Sequence, residues 1–147
     1  MMSDKKLKWI QSYLEKIYQQ APILEHFLQL HIVEFTEGKV TLSTTALDQH
    51  CNIYGFVHGG TLASIADVAM GISCVSFGKR VVTIDMSISY IKNAPAGSTL
   101  TALGEVISNG KTIMRAVGEI YHEQQLLIRS QASYFVIGEF TENDIPG

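Results

Sequence analysis

Cysteine is scarce in this chain: Cys51 and Cys74 are the two among 147 residues. Two cysteines make neither a disulfide framework nor a zinc pattern, and as reduced thiols they fit a cytoplasmic protein. An excess of charge of one sign is also missing. The formal net charge is −3, so there is no basic field to draw in nucleic acid or an anionic membrane surface. No apolar run approaches the ~18 residues that span a bilayer; the most apolar region, 66–77, is broken by Asp67, Gly71, Ser73 and Ser76. Met1-Met2-Ser3-Asp4-Lys5-Lys6 leads into an amphipathic segment rather than an apolar one, so no secretory leader is expected. His26, His31, His50 and His122 have no ligand spacing, and no metal is expected. Repeats and low-complexity segments are lacking as well.

Apolar residues are plentiful. They make up 46% of a chain with the length of one domain, a surplus that suggests a buried subunit interface or a large ligand pocket. Leu7, Ile10, Leu14, Ile17 and Tyr18 share one face of a helix over 4–20, capped by Ser3 or Asp4 and stopped at Ala21-Pro22. Residues 23–29 read as a second short helical piece. Two stretches rich in Val, Ile, Phe and Thr, 30–36 and 39–46, read as a hairpin about Glu37-Gly38. A longer helix follows, with Leu62, Ile65, Ala66, Ala69 and Met70 at helical spacing, ending near Phe77-Gly78. Then the period becomes two: Val82, Ile84, Met86, Ile88 and Tyr90 alternate with Thr83, Asp85, Ser87 and Ser89. Further strands are expected at 99–108, 111–121 and 126–137, with Asn109-Gly110 as a hairpin turn and a loose tail over 138–147. This order predicts a single α+β domain over 1–147 with an antiparallel sheet.

The stretch Asn52-Ile53-Tyr54-Gly55-Phe56-Val57-His58-Gly59-Gly60 reads as a loop that opens the long helix. On that helix Gly60, Ser64, Asp67, Gly71 and Cys74 form a stripe of small residues with one carboxylate in it. An interior glycine costs about 1 kcal/mol against alanine, so Gly71 predicts close approach of a backbone or a ligand. The Gly59-Gly60 pair leaves the first helical N–H groups open to a carbonyl oxygen, and one donor aimed at an oxyanion is worth roughly 3 to 4 kcal/mol. Asp67 lies two turns beyond Gly60, roughly 10 Å along the axis, too far to serve a carbonyl at its own helix start. A symmetric dimer with antiparallel central helices would bring each Asp67 to the partner's helix start. At least a homodimer is therefore predicted, with a homotetramer expected as a dimer of dimers.

Asn52, Gly55, His58, Gly59, Gly60 and Asp67, at this spacing, resemble the active-site motif of the hotdog-fold acyl-CoA thioesterases, in their phenylacetate-pathway-like (PaaI-like) branch. The resemblance covers about residues 27–138. It implies a long central helix wrapped by an antiparallel sheet, an active site between two subunits, and hydrolysis of an acyl-CoA to free acid and coenzyme A. Coenzyme A is then part of the substrate, and no separate cofactor is expected. The resemblance makes Asp67 the general base or nucleophile and puts Thr83 where relatives have a Ser or Thr that assists the attacking water. His58 would orient the thioester and the loop. Asn52 either bonds water or the thioester oxygen or holds the loop in an Asx turn. Gly60 and Gly55 are substrate-contact candidates, Gly55 being a turn residue by type, and Lys92, with Lys111 and Arg115, is a candidate to meet coenzyme A phosphates, although a solvated lysine needs no such partner. Two other functions compete. A non-enzymatic acyl-CoA sensor would use the same pocket but leave Asp67 without a purpose, and a hotdog hydratase needs a differently placed Asp/His pair.

Overall fold

The structure, a computed structural model, describes residues 2–141. Helix α1 spans Asp4–Tyr18, and its N-cap is Ser3, whose Oγ accepts from the Lys6 N–H at 3.2 Å. The short helix α2 covers Leu24–Phe27. Strands β1 (His31–Thr36) and β2 (Lys39–Thr45) form the expected hairpin, and Gly38 at its turn has φ +85°. After a 3-10 turn at Asp48–His50 comes the central helix α3, Gly59–Val75. Four strands complete the chain: β3 (Lys79–Tyr90), β4 (Thr99–Asn109), β5 (Ile113–His122) and β6 (Gln125–Glu139).

All six strands make one antiparallel sheet in the order β1-β2-β4-β5-β6-β3. Its inner face follows the two-residue period: Val40 and Leu42, Leu100 and Ala102, Met114 and Ala116, and Ile128 and Ala132 are buried against the helix. Helix α3 touches β2 through β6, so the sheet wraps the helix as the hotdog resemblance implies. Two cross-strand glycines seat it there. A Cβ on Gly104 would lie 2.1 Å from the carbonyl oxygen of Ala69, and one on Gly118 would lie 2.9 Å from Met70 Cγ. Only a residue without a side chain lets β4 press so closely on the helix backbone.

Four expectations need correction. The simple alternation along β3 is broken by a register shift between Thr83 and Asp85, so Val82 and Ile84 are about half exposed while Met86 and Ile88 pack against the core. The β4–β5 hairpin forms at Asn109-Gly110 as expected, but its loop is longer than two residues: neither residue has positive φ, β5 begins only at Ile113, and Lys79 Nζ donates to Asn109 Oδ1 and to the Gly110 carbonyl at 2.6 and 3.1 Å. The tail is not loose from residue 138: β6 runs through Glu139, and the Phe140 ring packs edge-on against Tyr13 at 6.0 Å. The rest of that tail, 142–147, lies outside the described residues. Helix α3 also stops at Val75, two residues short of the expected end, and Gly78 takes φ +79° in the turn that follows.

Candidate active site

The loop before α3 is built by its own polar side chains. Asn52 Oδ1 accepts from the N–H groups of Tyr54 (2.9 Å) and Phe56 (3.2 Å), so of its two expected roles the structure shows the Asx turn. Its amide NH₂ remains as a donor. Gly55 has φ +82° and donates its N–H to the Asn52 carbonyl, which is the turn role its type suggests. Buried His50 anchors the loop from below. Its Nδ1 accepts from Leu47 N–H at 3.0 Å, and its Nε2 donates to the Phe27 carbonyl at 2.6 Å. Its own carbonyl accepts from His58 N–H and Thr61 Oγ1. The helix start is thereby tied to α2, a link that no spacing in the sequence announces.

His58 is the N-cap of α3: its Nδ1 accepts from Gly60 N–H at 2.9 Å. That bond consumes Gly60's donor and leaves the His58 proton on Nε2. The Gly59 N–H, at the first helical position, has no partner among the described residues. It is the open donor at the positive end of the helix. Across from it, Tyr90 packs its ring where a Cβ on Gly59 would lie 3.5 Å away and donates its hydroxyl to the Gly59 carbonyl at 2.7 Å.

Asp67 is partly buried halfway along α3. Its Oδ1 accepts from Thr83 Oγ1 at 2.9 Å and from Tyr134 Oη at 2.8 Å, and Oδ2 has no partner among the described residues. Burial raises the Tyr134 hydroxyl far above the ordinary phenol range, with the Asp67 charge adding to the effect. A second carboxyl feels the same charge: Glu25, on α2, is raised by burial first and by Asp67 as well. Cys74 is buried, which pushes its thiol up to about 12 and makes it a poor nucleophile.

The structure thus brings Asp67 and Thr83 together, and separately gathers Asn52, Gly55, His58, Gly59 and Gly60 at the helix start. Within one chain it does not join the two groups, since Asp67 follows Gly59 by eight helical residues, roughly 12 Å of axis. Lys92 is exposed just beyond β3, its N–H donating to the Leu127 carbonyl, away from Asp67 in sequence and without a side-chain contact to the cluster. A Cβ on Gly71 would meet the Tyr134 ring at 3.5 Å, an ordinary packing distance, so the contacts within the chain do not by themselves demand glycine there. Tyr90 and Tyr134 were missed by sequence reasoning. Both look like ordinary strand aromatics, and the register of a sheet edge, rather than any spacing, aims them at the helix. Among the described residues there is no cluster of metal-ligating side chains and no helix long and apolar enough to cross a membrane.

The model of the Thioesterase superfamily matches residues 54–128, which include the helix start, Asp67 and Thr83. The acyl-coenzyme A thioesterase PaaI of Escherichia coli K12 is 34% identical over 67% of this chain and 70% of its own. The structure of the E. coli PaaI protein from the phenylacetic acid degradation operon aligns with a TM-score of 0.83 and 27% identity, covering 93% of this chain and 98% of that one. A Streptococcus mutans protein solved bound to acetyl CoA aligns with a TM-score of 0.74 and 29% identity over 76% of this chain and 91% of its own. Two structures of a hypothetical thioesterase from Streptococcus pneumoniae, each 27% identical with a TM-score of 0.72, cover 75% of this chain and 92% and 91% of theirs. They are alanine variants, one at an aspartate and one at a threonine sixteen residues further on. Asp67 and Thr83 have that same separation.

Proposed function

The chain belongs to the thioesterase superfamily, as a PaaI-like hotdog acyl-CoA thioesterase, and from that premise we propose that Asp67 of one subunit attacks through water a thioester held at Gly59 of another. The observation that carries this reading is the partly buried Asp67 carboxylate, held by two hydroxyls on Oδ1 and, among the described residues, without a partner at Oδ2. An ionised carboxylate inside an apolar helix is costly unless a site uses it.

Water adds to the thioester carbon while Asp67 takes its proton. The carbonyl pair moves to oxygen, and the oxyanion is met by the open Gly59 N–H, a donor worth roughly 3 to 4 kcal/mol in the transition state. Collapse re-forms the carbonyl and breaks the C–S bond, and the departing coenzyme A thiolate receives the proton that Asp67 holds. The products are the free acid and coenzyme A, and the reaction needs no further cofactor. Thr83, donating to Oδ1, keeps its lone pairs to accept from the attacking water. Were Asp67 instead the nucleophile, with water opening the mixed anhydride at the aspartyl carbon, a single turnover in heavy-oxygen water would label the Asp67 carboxylate and leave the acid unlabelled; with Asp67 as base the label enters the acid.

The shared site requires a dimer, and the free edge of the sheet supports one. Strand β3 is an edge strand of twelve residues and carries half-exposed Val82, Ile84 and Tyr90, with Ile53 and Tyr54 exposed nearby in sequence to the helix start. A long apolar edge is a template for pairing with a second copy. Pairing β3 with its symmetry mate would set the two central helices antiparallel, and a homotetramer would add a second pair. Thiol release from a panel running from acetyl-CoA to decanoyl-CoA, with benzoyl-CoA included, tests the activity and reads the acyl preference. Light scattering tests the assembly: a stable monomer at micromolar concentration with full turnover would remove the shared site.

A further inference from the structure

Asp67 Oδ1 receives two hydroxyls from two different strands, Thr83 from β3 at 2.9 Å and Tyr134 from β6 at 2.8 Å. Resting on the reading of Asp67 as the reacting carboxylate, we propose that Tyr134 is a positioning residue whose hydroxyl fixes Oδ1 and leaves the chemistry to Oδ2.

A carboxylate oxygen has about two lone-pair sites, so two donors fill Oδ1. The torsion that would exchange the two oxygens is broad and roughly two-fold in a free aspartate. Held at one oxygen from two sides, Asp67 cannot make that exchange without breaking two charge-assisted hydrogen bonds. The same oxygen is then always the one presented, which is the kind of orientation that a reacting base needs.

The sheet is built to supply this pair. Thr83 and Tyr134 are direct cross-strand partners, so their side chains leave the sheet side by side on the helix face. The register shift between Thr83 and Asp85 puts Thr83 on that face in the first place, in phase with Met86 and Ile88. Bulges of this kind re-aim side chains beside active sites. Tyr134 is only 2% exposed, and its ring packs beside Gly71, so its hydroxyl does not compete for solvent. Among the described residues its alternatives are the Asp67 carbonyl, at 3.0 Å, and the Thr83 hydroxyl, which lies within hydrogen-bonding reach. The carboxylate oxygen is both closer and charged, and it takes the single proton. Burial beside that charge keeps the phenol protonated at any working pH, so it is a permanent donor.

The test compares Tyr134→Phe with Asp67→Asn and wild type, using the best-hydrolysed member of the acyl-CoA panel. Tyr134→Phe keeps the ring and loses the hydroxyl. It should lower kcat roughly ten- to a hundredfold, leave KM within about twofold, and move the acid limb of the kcat profile to higher pH, because a donor to the ionised form favours that form. A loss of packing alone would lower the melting temperature without moving the acid limb. Site-specific 3-fluorotyrosine at position 134 is a stronger donor of nearly the same shape and should move the limb the other way. That second protein decides the matter if Tyr134→Phe fails to fold. Wild-type kcat and an unmoved acid limb in the fluorotyrosine protein, or in a folded Tyr134→Phe protein, overturn the proposal while an inactive Asp67→Asn leaves the broader reading standing. Full activity in Asp67→Asn would overturn the broader reading itself, and this proposal with it.

Discussion

Tyr90, the last residue of β3, donates its hydroxyl across 2.7 Å to the carbonyl oxygen of Gly59, the first residue of α3. The contact ties the free edge of the sheet to the start of the central helix. Glycine there has no side chain to restrict it, so the strand supplies from outside the stiffness that the residue lacks. The neighbouring Gly59 N–H is held steady as a result. Tyr90→Phe keeps the ring contact and loses one hydrogen bond, worth about 1 kcal/mol. We expect kcat/KM to fall about fivefold, measured as initial rates over a range of acyl-CoA concentrations. A fall of a hundredfold would show that Tyr90 acts on the thioester directly rather than through Gly59.

Asp67→Asn preserves the shape of the side chain and an oxygen for Thr83 and Tyr134 to donate to. What it removes is the charge and the basic oxygen. The variant should fold and assemble like wild type by circular dichroism and light scattering, and hydrolyse acyl-CoA at least about a hundredfold more slowly, roughly 2.7 kcal/mol of barrier. Near-normal turnover in a folded Asp67→Asn protein would sink the mechanism.

The helices and most strands were legible because their burial is periodic. Leu62, Ile65, Ala66, Ala69 and Met70 fall on one face of α3, and the inner residues of β4 and β5 alternate as a half-buried strand should. The motif around Gly59 and Asp67 was legible because glycine pairs and a carboxylate in an apolar helix are each hard to explain by packing alone. Two parts of the site could not be read from periodicity. Thr83 is marked by the family resemblance alone, since it lies out of phase with Met86 and Ile88 in the sequence and only the register shift beside it turns its hydroxyl to the helix. A bulge is a property of strand pairing, with no local residue that announces it here. Tyr134 is separated from Asp67 by 67 residues, and only the β3–β6 pairing register brings it alongside Thr83.

Glu25 offers a pH test of the N-terminal segment. Burial, with the Asp67 charge adding, raises its carboxyl above the ordinary value. The folded state therefore holds the Glu25 proton more tightly than the unfolded chain does. Below the unfolded value of about 4.3 both states are protonated and there is no penalty. As pH rises through the raised folded value, the folded state must carry a partly buried charge, and stability falls. Glu25→Gln removes that penalty. Its melting temperature should exceed that of wild type at pH 7 to 8, and the gap should close as pH falls to about 4. A gap that stayed constant across this range would mean the substitution acts through packing rather than charge.

The shared site makes one prediction that neither Asp67 nor Gly59 makes alone. If each site takes Asp67 from one chain and the Gly59 N–H from the other, activity belongs to the pair of chains. Gly59→Pro removes that N–H, and Gly59 stands at the first position of α3, where proline is well tolerated. The variant should therefore fold, keep its Asp67, and be inactive. Mixed with inactive Asp67→Asn, it should form hybrid dimers containing one intact site and one doubly damaged one. Random mixing makes about half the dimers hybrid, and each hybrid has one working site of two, so turnover should recover to about a quarter of wild type if sites act independently. Co-expression or refolding ensures that subunits exchange, and tagged chains report the hybrid fraction. Should the mixture stay as inactive as its parents with the hybrid present, Asp67 and Gly59 act within a single chain or not at all, and the roughly 12 Å of helix between them would have to be bridged by the substrate.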